Sequence, residues 1–132
     1  MSLPTPFLVD TDILIDYLHG HPAAVRLVTD HADRVILSAM SVAELYAGVR
    51  GQARDPEQLA LADFLELFPI VPVSADIARA GGLYRRDYGR SHGIGLADAV
   101  IAATAVSSDA MLMTLNVKHY PMFEGLEAAY RK

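Results

Sequence analysis

Four side chains that could ligate a metal ion fall at the predicted ends of secondary structure elements. They are Asp10, Glu44, Asp98 and Asn116. Asp10 ends the first predicted strand, and Asn116 lies just past the last one. Glu44 and Asp98 are each predicted in the first turn of a helix. Because sites in parallel sheets form at the carboxyl ends of the strands, these distant residues are predicted to converge.

The residue types restrict which ion such a site would hold. The chain has no cysteine, and its five histidines show no metal-ligand spacing, which excludes thiolate zinc and iron–sulfur sites. Neighbouring carboxylates repel each other unless a cation neutralises them, and hard oxygen ligands suit Mg²⁺ or Mn²⁺. Such an ion activates water and polarises a phosphoryl oxygen. The predicted chemistry is therefore metal-dependent hydrolysis of a phosphoester.

Structural roles compete with this interpretation for some of the acids. Ser41 and Glu44 have the spacing of a capping box, in which the glutamate serves only the helix start. Asp12 is better explained as a helix cap than as a catalyst, and Asp10 could form a turn. Asp98 is harder to explain structurally because it is the only charge in an apolar helix, where burial of a carboxylate costs several kcal/mol.

Strands and helices alternate along the chain. Predicted strands cover residues 7–9, 35–37, 70–73 and 111–114, and the tail from Met122 onward is a candidate edge strand. Predicted helices cover residues 12–19, 22–32, 56–68, 74–90 and 96–108, and a further helix runs from Ser38 or Ser41 to Val49 and stops at Gly51. This order favours an α/β fold with right-handed crossovers and a mostly parallel sheet of four or five strands, with helices on both faces.

Length and charge set further limits. The 132 residues are predicted to form a single domain, in which residues 1–6 are either a flexible N-terminus or one that is in part foreign to the protein. The net charge of -5 argues against nucleic-acid binding by bulk positive charge, although it allows a nuclease with a local acidic site. Asp10, Asp12 and Asp16 interrupt the first apolar stretch, so neither a signal peptide nor a membrane span is predicted there. We expect a cytoplasmic protein.

The few basic residues are candidates for contacts with RNA phosphates. The candidates are Arg79, Arg85, Arg86, Arg90, His92 and Lys118. Arg79, Arg86 and Arg90 lie nearly in line on the predicted 74–90 helix. The competing explanation is an ordinary solvated face of an amphipathic helix.

Four segments, taken together and in order, resemble the PIN-domain ribonucleases, and specifically the VapC-type toxins of bacterial type II toxin–antitoxin pairs. The segments are FLVDTDILIDYL, LSAMSVAELYAG, GIGLADAVIAATA and LMTLNVKHY, and the resemblance covers nearly the whole chain. It implies a three-layer α/β/α PIN-like fold and Mg²⁺- or Mn²⁺-dependent endoribonuclease activity on RNA. It also implies a homodimer and a cognate antitoxin that lies across a groove near the early helices and blocks the site.

The resemblance also assigns roles by position. Asp10, Glu44 and Asp98 match the three acidic metal ligands, and Thr11 and Thr114 match hydroxyl-bearing positions beside the site. On this basis Asp10 and Asp98 hold the main ion, while Glu44 ligates it or positions the attacking water.

Asn116 departs from the family pattern, because many relatives carry an aspartate at or next to this position. An amide adds no charge and cannot act as a base, although with Thr114 it could orient water or phosphate. The departure leaves open whether the site holds a second ion. It also leaves open a catalytically weak or inactive PIN-fold module that binds RNA or protein without cutting.

Two other enzyme or signalling families share the early acids. A haloacid-dehalogenase-type phosphatase would use Asp10 as nucleophile and Asp12 as acid, but its downstream lysine and acidic pair are missing, since Lys118 and Lys132 are the only lysines. A response-regulator receiver needs an aspartate ending the third strand, where this chain has Ser74.

Overall fold

The computed structural model describes residues 4–50 and 55–132. Its strands are β1 Phe7–Val9, β2 Val35–Ser38, β3 Ile70–Val71 and β4 Met111–Met113. Its helices are α1 Thr11–Leu18, α2 Pro22–Asp30, α3 Ala39–Ala47, α4 Pro56–Leu65, α5 Ala75–His92 and α6 Leu96–Ser107, and a 3₁₀ turn, Val117–His119, follows β4. The predicted helix stop at Gly51 and the first three residues of the predicted N-terminal segment lie outside the described residues.

Local sequence signals explain where the helices begin and end. Ser38 caps α3 by accepting a hydrogen bond from the Met40 amide, which decides between the two serines that the sequence offered. Ser74 caps α5 in the same way through the Ile77 amide. Gly93 ends α5 in the left-handed conformation (φ 72°), which glycine adopts without a steric penalty.

All strands of the sheet are parallel, in the order β3-β2-β1-β4, which confirms the predicted mostly parallel sheet. The prediction of an edge strand after Met122 is wrong, because described residues 122–132 form turns and irregular structure. Gly125 has a φ of 72°, which breaks an extended conformation, and Phe123 packs onto the core instead of pairing beside β4.

Helices cover both faces of the sheet, as the three-layer prediction requires. On one face, α1, α2 and α4 pack against the alternate strand residues Val9, Val35 and Leu37. On the other face, α6 packs against Leu8 and Leu112, and α5 forms an outer layer on α6. None of the helices in the described ranges is long and apolar enough to cross a membrane.

The order of the strands marks a place for a ligand. The chain runs from β1 through β2 to β3 in one direction and then returns to β4 on the far side of β1. The strand order therefore reverses between β1 and β4, and ligands of open α/β sheets bind at the carboxyl ends of strands at such a switch point. Asp10 and Thr114 immediately follow these two strands.

Candidate active site

Asp10 lies at the centre of this edge of the sheet, with 2% of the residue exposed. It is the N-cap of α1, and its Oδ1 accepts a hydrogen bond from the Thr11 amide at 2.8 Å. Its Oδ2 accepts from the Thr114 hydroxyl at 2.7 Å and from the Tyr120 hydroxyl at 2.8 Å. All these donors are neutral, so they orient the carboxylate without neutralising its charge.

The surroundings of Asp10 disfavour its ionised form. Burial and the charge of Asp12 raise the pKa of Asp10 to about 7, and Asp98 adds to the shift, although the hydrogen bonds from Thr114 and Tyr120 oppose it. Asp10, Asp12 and Asp98 therefore lie close enough to repel one another. A proton or a cation would relieve this repulsion.

Asp12 does not cap α1 as predicted, because the cap position belongs to Asp10 two residues earlier. Its Oδ1 does accept a first-turn amide, that of Ile13, at 2.7 Å, and its Oδ2 accepts the Leu115 amide at 3.0 Å. Asp12 thereby connects α1 to the segment after β4. Both carboxylate oxygens are engaged, which does not suit the acid catalyst of a phosphatase.

Glu44 lies one turn further along its helix than predicted, because α3 begins at Ala39. The predicted capping box with Ser41 is wrong, since Ser38 supplies the cap. Glu44 Oε1 instead accepts a hydrogen bond from the Thr11 hydroxyl at 2.7 Å, and Thr11 Oγ1 lies 2.9 Å from the buried Ser41 Oγ. Thr11, the residue next to Asp10, thus links Glu44 to the start of α1, and its contact with Ser41 is one that sequence reasoning missed.

Asp98 lies in the first turn of α6, and the buried residues that follow it confirm the predicted apolar helix. Its side chain is 23% exposed, and Oδ2 lies 3.2 Å from His119 Nδ1. An ionised carboxylate only accepts hydrogen bonds, so Nδ1 carries the proton in this contact. Sequence reasoning missed this partner because it approaches from the turn after β4.

Asn116 is exposed at the start of that 3₁₀ turn, next to the site. Its backbone N–H donates a hydrogen bond to Thr114 Oγ1 at 3.1 Å. Tyr120 ends the turn and is 1% exposed. Burial and the neighbouring Asp10 raise the pKa of the Tyr120 hydroxyl far above its usual range, so it remains a donor. Sequence reasoning missed Tyr120 as a partner of Asp10, although Tyr120 ends the segment LMTLNVKHY that carries the resemblance.

Comparisons with known proteins agree with this arrangement. The PIN domain family matches residues 7–120. This chain belongs to the PIN-domain family. Ribonuclease VapC19 of Mycobacterium tuberculosis is 42% identical over 127 residues, which are 93% of this chain and 98% of the relative. Ribonuclease VapC10 of the same species is 44% identical over 126 residues, with 93% and 92% covered.

A solved structure shares the PIN fold over almost the whole length. It is a toxin–antitoxin complex from Klebsiella pneumoniae, with a TM-score of 0.78 and 27% identity over 95% of this chain and 98% of that chain. The VapC relatives place this chain among the VapC-type PIN domains, as the four sequence segments indicated.

The acids of this PIN domain fit a lightly held ion. Within residues 4–50 and 55–132, no three His, Asp or Glu side chains already form a ligand group. Mg²⁺ does not require one, because it keeps several waters and usually binds through one or two carboxylates together with substrate phosphates. Asp10 and Asp98 can supply that pair, and Glu44 would need to turn away from Thr11 to join them.

The predicted basic residues are spread along α5 and the 3₁₀ turn after β4. The end of α5, with Arg90 and His92, lies near the 3₁₀ turn that carries Lys118, since a β-carbon at Gly93 would lie 4.0 Å from His119 Nε2. Arg79 lies 13 residues before His92, which corresponds to about 20 Å along the helix axis at 1.5 Å per residue.

The remaining arginines of α5 have local partners. Arg79 pairs with Asp76 at 3.0 Å, and Arg86 pairs with Asp87 at 2.8 Å. Arg85 extends along its own helix toward Gly89. The solvated basic face therefore describes this part of α5 well.

Proposed function

We propose that this PIN domain is a Mg²⁺- or Mn²⁺-dependent endoribonuclease and the toxin of a toxin–antitoxin pair. One observation carries the proposal: Asp10 is buried at the topological switch point among neutral donors, and the charges of Asp12 and Asp98 act on it. Two VapC relatives named as ribonucleases support the reaction class. The toxin–antitoxin complex with the same fold supports the biological setting.

Asp10 and Asp98 would hold the ion, and Glu44 would either ligate it or position the attacking water. The ion, when bound, supplies activation of water and stabilisation of charge on the phosphoryl group. Thr114 and Tyr120 keep Asp10 oriented through its Oδ2. Asn116 lies exposed beside Thr114, where its amide would orient water or phosphate.

The substrate is an RNA phosphodiester. Water attacks the phosphorus and the bond to one ribose oxygen breaks, without a covalent enzyme intermediate. Arg90 and His92 at the end of α5, and Lys118 next to the His119 that contacts Asp98, would contact phosphates on either side of the cut. This local positive charge would partly offset the net charge of -5, which otherwise repels RNA.

Cleavage of an RNA pool with Mg²⁺ or Mn²⁺ tests the enzymatic part. We expect wild type to cut, and Asp10→Asn and Asp98→Asn to lose roughly a hundredfold or more in rate, since even residues that only support metal ligands cost up to about that much. Asp30→Asn is the matched control, because Asp30 is exposed at the end of α2, which leads to the opposite edge of the sheet. Equal rates in all four proteins would contradict the assignment.

The second candidate function is a PIN module that binds RNA without cutting it. Asn116 in place of an acid favours it, because an amide adds no charge and cannot act as a base. Binding of RNA by wild type with no cleavage at millimolar Mg²⁺ and Mn²⁺ would support this alternative. Sequencing of RNA ends after expression of the domain in a bacterium would reveal both activity and target.

An apolar groove supports the antitoxin as partner. It lies between α1, α3 and α4, has a volume of about 470 Å³, and is bordered by Glu44 at the site. Ile15 and Leu18 in its lining are 42% and 40% exposed. Such a groove suits the apolar face of an amphipathic helix. A helix seated there would bring a neighbouring basic side chain close to the acids.

Binding of the cognate antitoxin tests this part. We expect Leu18→Glu to weaken binding by at least tenfold, because it places a charge in the apolar groove. Leu83→Glu is the matched control, since Leu83 is 43% exposed on α5, on the other side of the sheet. Equal affinity of the two variants would show that the antitoxin binds elsewhere.

A further inference from the structure

Two consecutive residues at the end of the 3₁₀ turn contact both central acids. His119 Nδ1 lies 3.2 Å from Asp98 Oδ2, and the Tyr120 hydroxyl donates to Asp10 Oδ2 at 2.8 Å. Asp10 begins α1 and Asp98 begins α6, so these acids belong to helices on opposite faces of the sheet. The turn is therefore a direct bridge between them.

The two side chains of the bridge are buried to different degrees. Tyr120 is 1% exposed and packs with Leu8 and Ile94 in the core of the α6 face. His119 is partly buried, and its Nε2 faces Gly93 in the turn between α5 and α6, where a β-carbon would lie at 4.0 Å. The Tyr120 ring cannot move far without disturbing its packing in this core.

The hydrogen bonds also distinguish the two oxygens of each carboxylate. Asp10 Oδ2 accepts from two hydroxyls, whereas Oδ1 accepts only the Thr11 amide. Asp98 Oδ2 faces His119. Since an ionised carboxylate oxygen has about two acceptor sites, Oδ2 of Asp10 is saturated and Oδ1 retains capacity for a further partner.

We propose that His119 and Tyr120 are positioning residues that fix Asp98 and Asp10 relative to each other and so set the affinity of the site for a divalent ion. This inference rests on the proposed metal-dependent function. Outer partners that hydrogen-bond metal ligands typically affect metal affinity by 10- to 100-fold, because they orient the ligand before the ion arrives.

Calorimetric titration of the purified full chain with Mn²⁺ tests the proposal directly and does not depend on nuclease activity. Tyr120→Phe removes only the hydroxyl, and His119→Leu removes the ring donor. We expect each to weaken Mn²⁺ binding about 10- to 100-fold. His119→Asn is expected to stay within about threefold of wild type, because its amide can donate from nearly the same place as Nδ1.

Tyr130→Phe is the matched control for the loss of a tyrosine hydroxyl. Tyr130 also donates to a buried aspartate, Asp16 at 2.6 Å, but that pair lies outside the site. We expect its Mn²⁺ affinity to equal that of wild type. Circular dichroism of every variant checks folding. If Tyr120→Phe unfolds, the Mn²⁺ affinities of His119→Leu and His119→Asn are compared with each other to test the positioning role.

The outcomes separate the two proposals. Wild-type binding that neither Tyr120→Phe nor His119→Leu weakens would overturn the positioning role and leave the metal-dependent function intact. Equal weakening by His119→Leu and His119→Asn would likewise overturn the role of the Nδ1 donor. Absence of Mn²⁺ binding by folded wild type would overturn the metal-dependent function, and the positioning role with it.

Discussion

Thr114 Oγ1 donates to Asp10 Oδ2 at 2.7 Å, which joins the residue after β4 to the residue after β1. The same hydroxyl oxygen accepts a hydrogen bond from the backbone N–H of Asn116. The backbone carbonyl of Thr114 accepts one from the backbone N–H of Ala129 at 3.0 Å. Thr114 itself is fully buried. Thr114 therefore connects three parts of the protein: its side chain joins the central acid to the turn that follows β4, and its backbone carbonyl holds the C-terminal tail.

Replacement of Thr114 by valine keeps the shape but removes the hydroxyl. We expect Thr114→Val to lower the free energy of unfolding by about 1–3 kcal/mol, because Asp10 and the Asn116 amide each lose a buried partner. Thr114→Ser retains the hydroxyl and should lose less. Urea denaturation at pH 7 measures both, and a valine variant as stable as wild type would contradict the stabilising role of this hydrogen bond.

Ionisation of Asp10 should destabilise the metal-free protein. The folded pKa of about 7 lies above the ordinary value of 3.8, so the folded state holds its proton more tightly than the unfolded state. Stability contributed by this group is full below about pH 4 and falls as pH rises to about 7, by on the order of a few kcal/mol.

Asp10→Asn isolates this effect. In EDTA, we expect the variant to gain stability relative to wild type as pH is raised from 5 to 8. In a separate measurement with Mg²⁺ and without EDTA, we expect the ion to stabilise only wild type. Thermal unfolding across this range provides the measurement. A stability difference that stays constant with pH would show that Asp10 titrates normally.

Close packing of α5 on α6 depends on Gly81. A β-carbon there would lie 2.9 Å from both Val100 Cα and Val100 Cγ2, whereas one at Gly82 would meet nothing within 4 Å. We expect Gly81→Ala to cost about 1–3 kcal/mol, because the helices must separate. Gly82→Ala should be neutral or gain up to about 1 kcal/mol from helix propensity. Similar denaturation midpoints for the two variants would refute this difference.

The C-terminal tail is fastened to α1 through Asp16. Its carboxylate accepts from the Tyr130 hydroxyl at 2.6 Å and from Lys132 Nζ at 2.8 Å. Burial alone would raise the pKa of Asp16, but these two hydrogen bonds outweigh it and lower the pKa below its usual value. The contribution of Asp16 to stability is therefore present above about pH 4 and is lost as pH falls through the lowered value.

We accordingly expect Asp16→Asn to be less stable than wild type at pH 7 and to approach it in stability near pH 3. Tyr130→Phe should lose about 0.5–1.5 kcal/mol at pH 7. Thermal unfolding at both pH values checks these changes. A stability deficit of Asp16→Asn that is as large at pH 3 as at pH 7 would argue against a role for the ionised carboxylate.

The sequence by itself determined the order of strands and helices, the position of Asp10 at the end of the first strand and that of Asp98 in the first turn of α6. These features depend on local signals, since hydrophobic periodicity, serine caps and a C-terminal glycine act within a few residues. The sequence did not distinguish between candidate cap residues that lie close together. Asp10 and Asp12 both suit the start of α1, and Ser38 and Ser41 both suit the start of α3, so the cap of α1 and the turn that holds Glu44 were assigned wrongly.

Only the tertiary structure decided what each acid contacts. Glu44 bonds Thr11 instead of its own helix, Asp98 meets His119, and Tyr120 reaches Asp10. Each pair is far apart in sequence, and no local pattern encodes a contact that arises from parallel strands meeting at one edge. The sheet order places the ends of β1 and β4 side by side, and that neighbourhood creates the site.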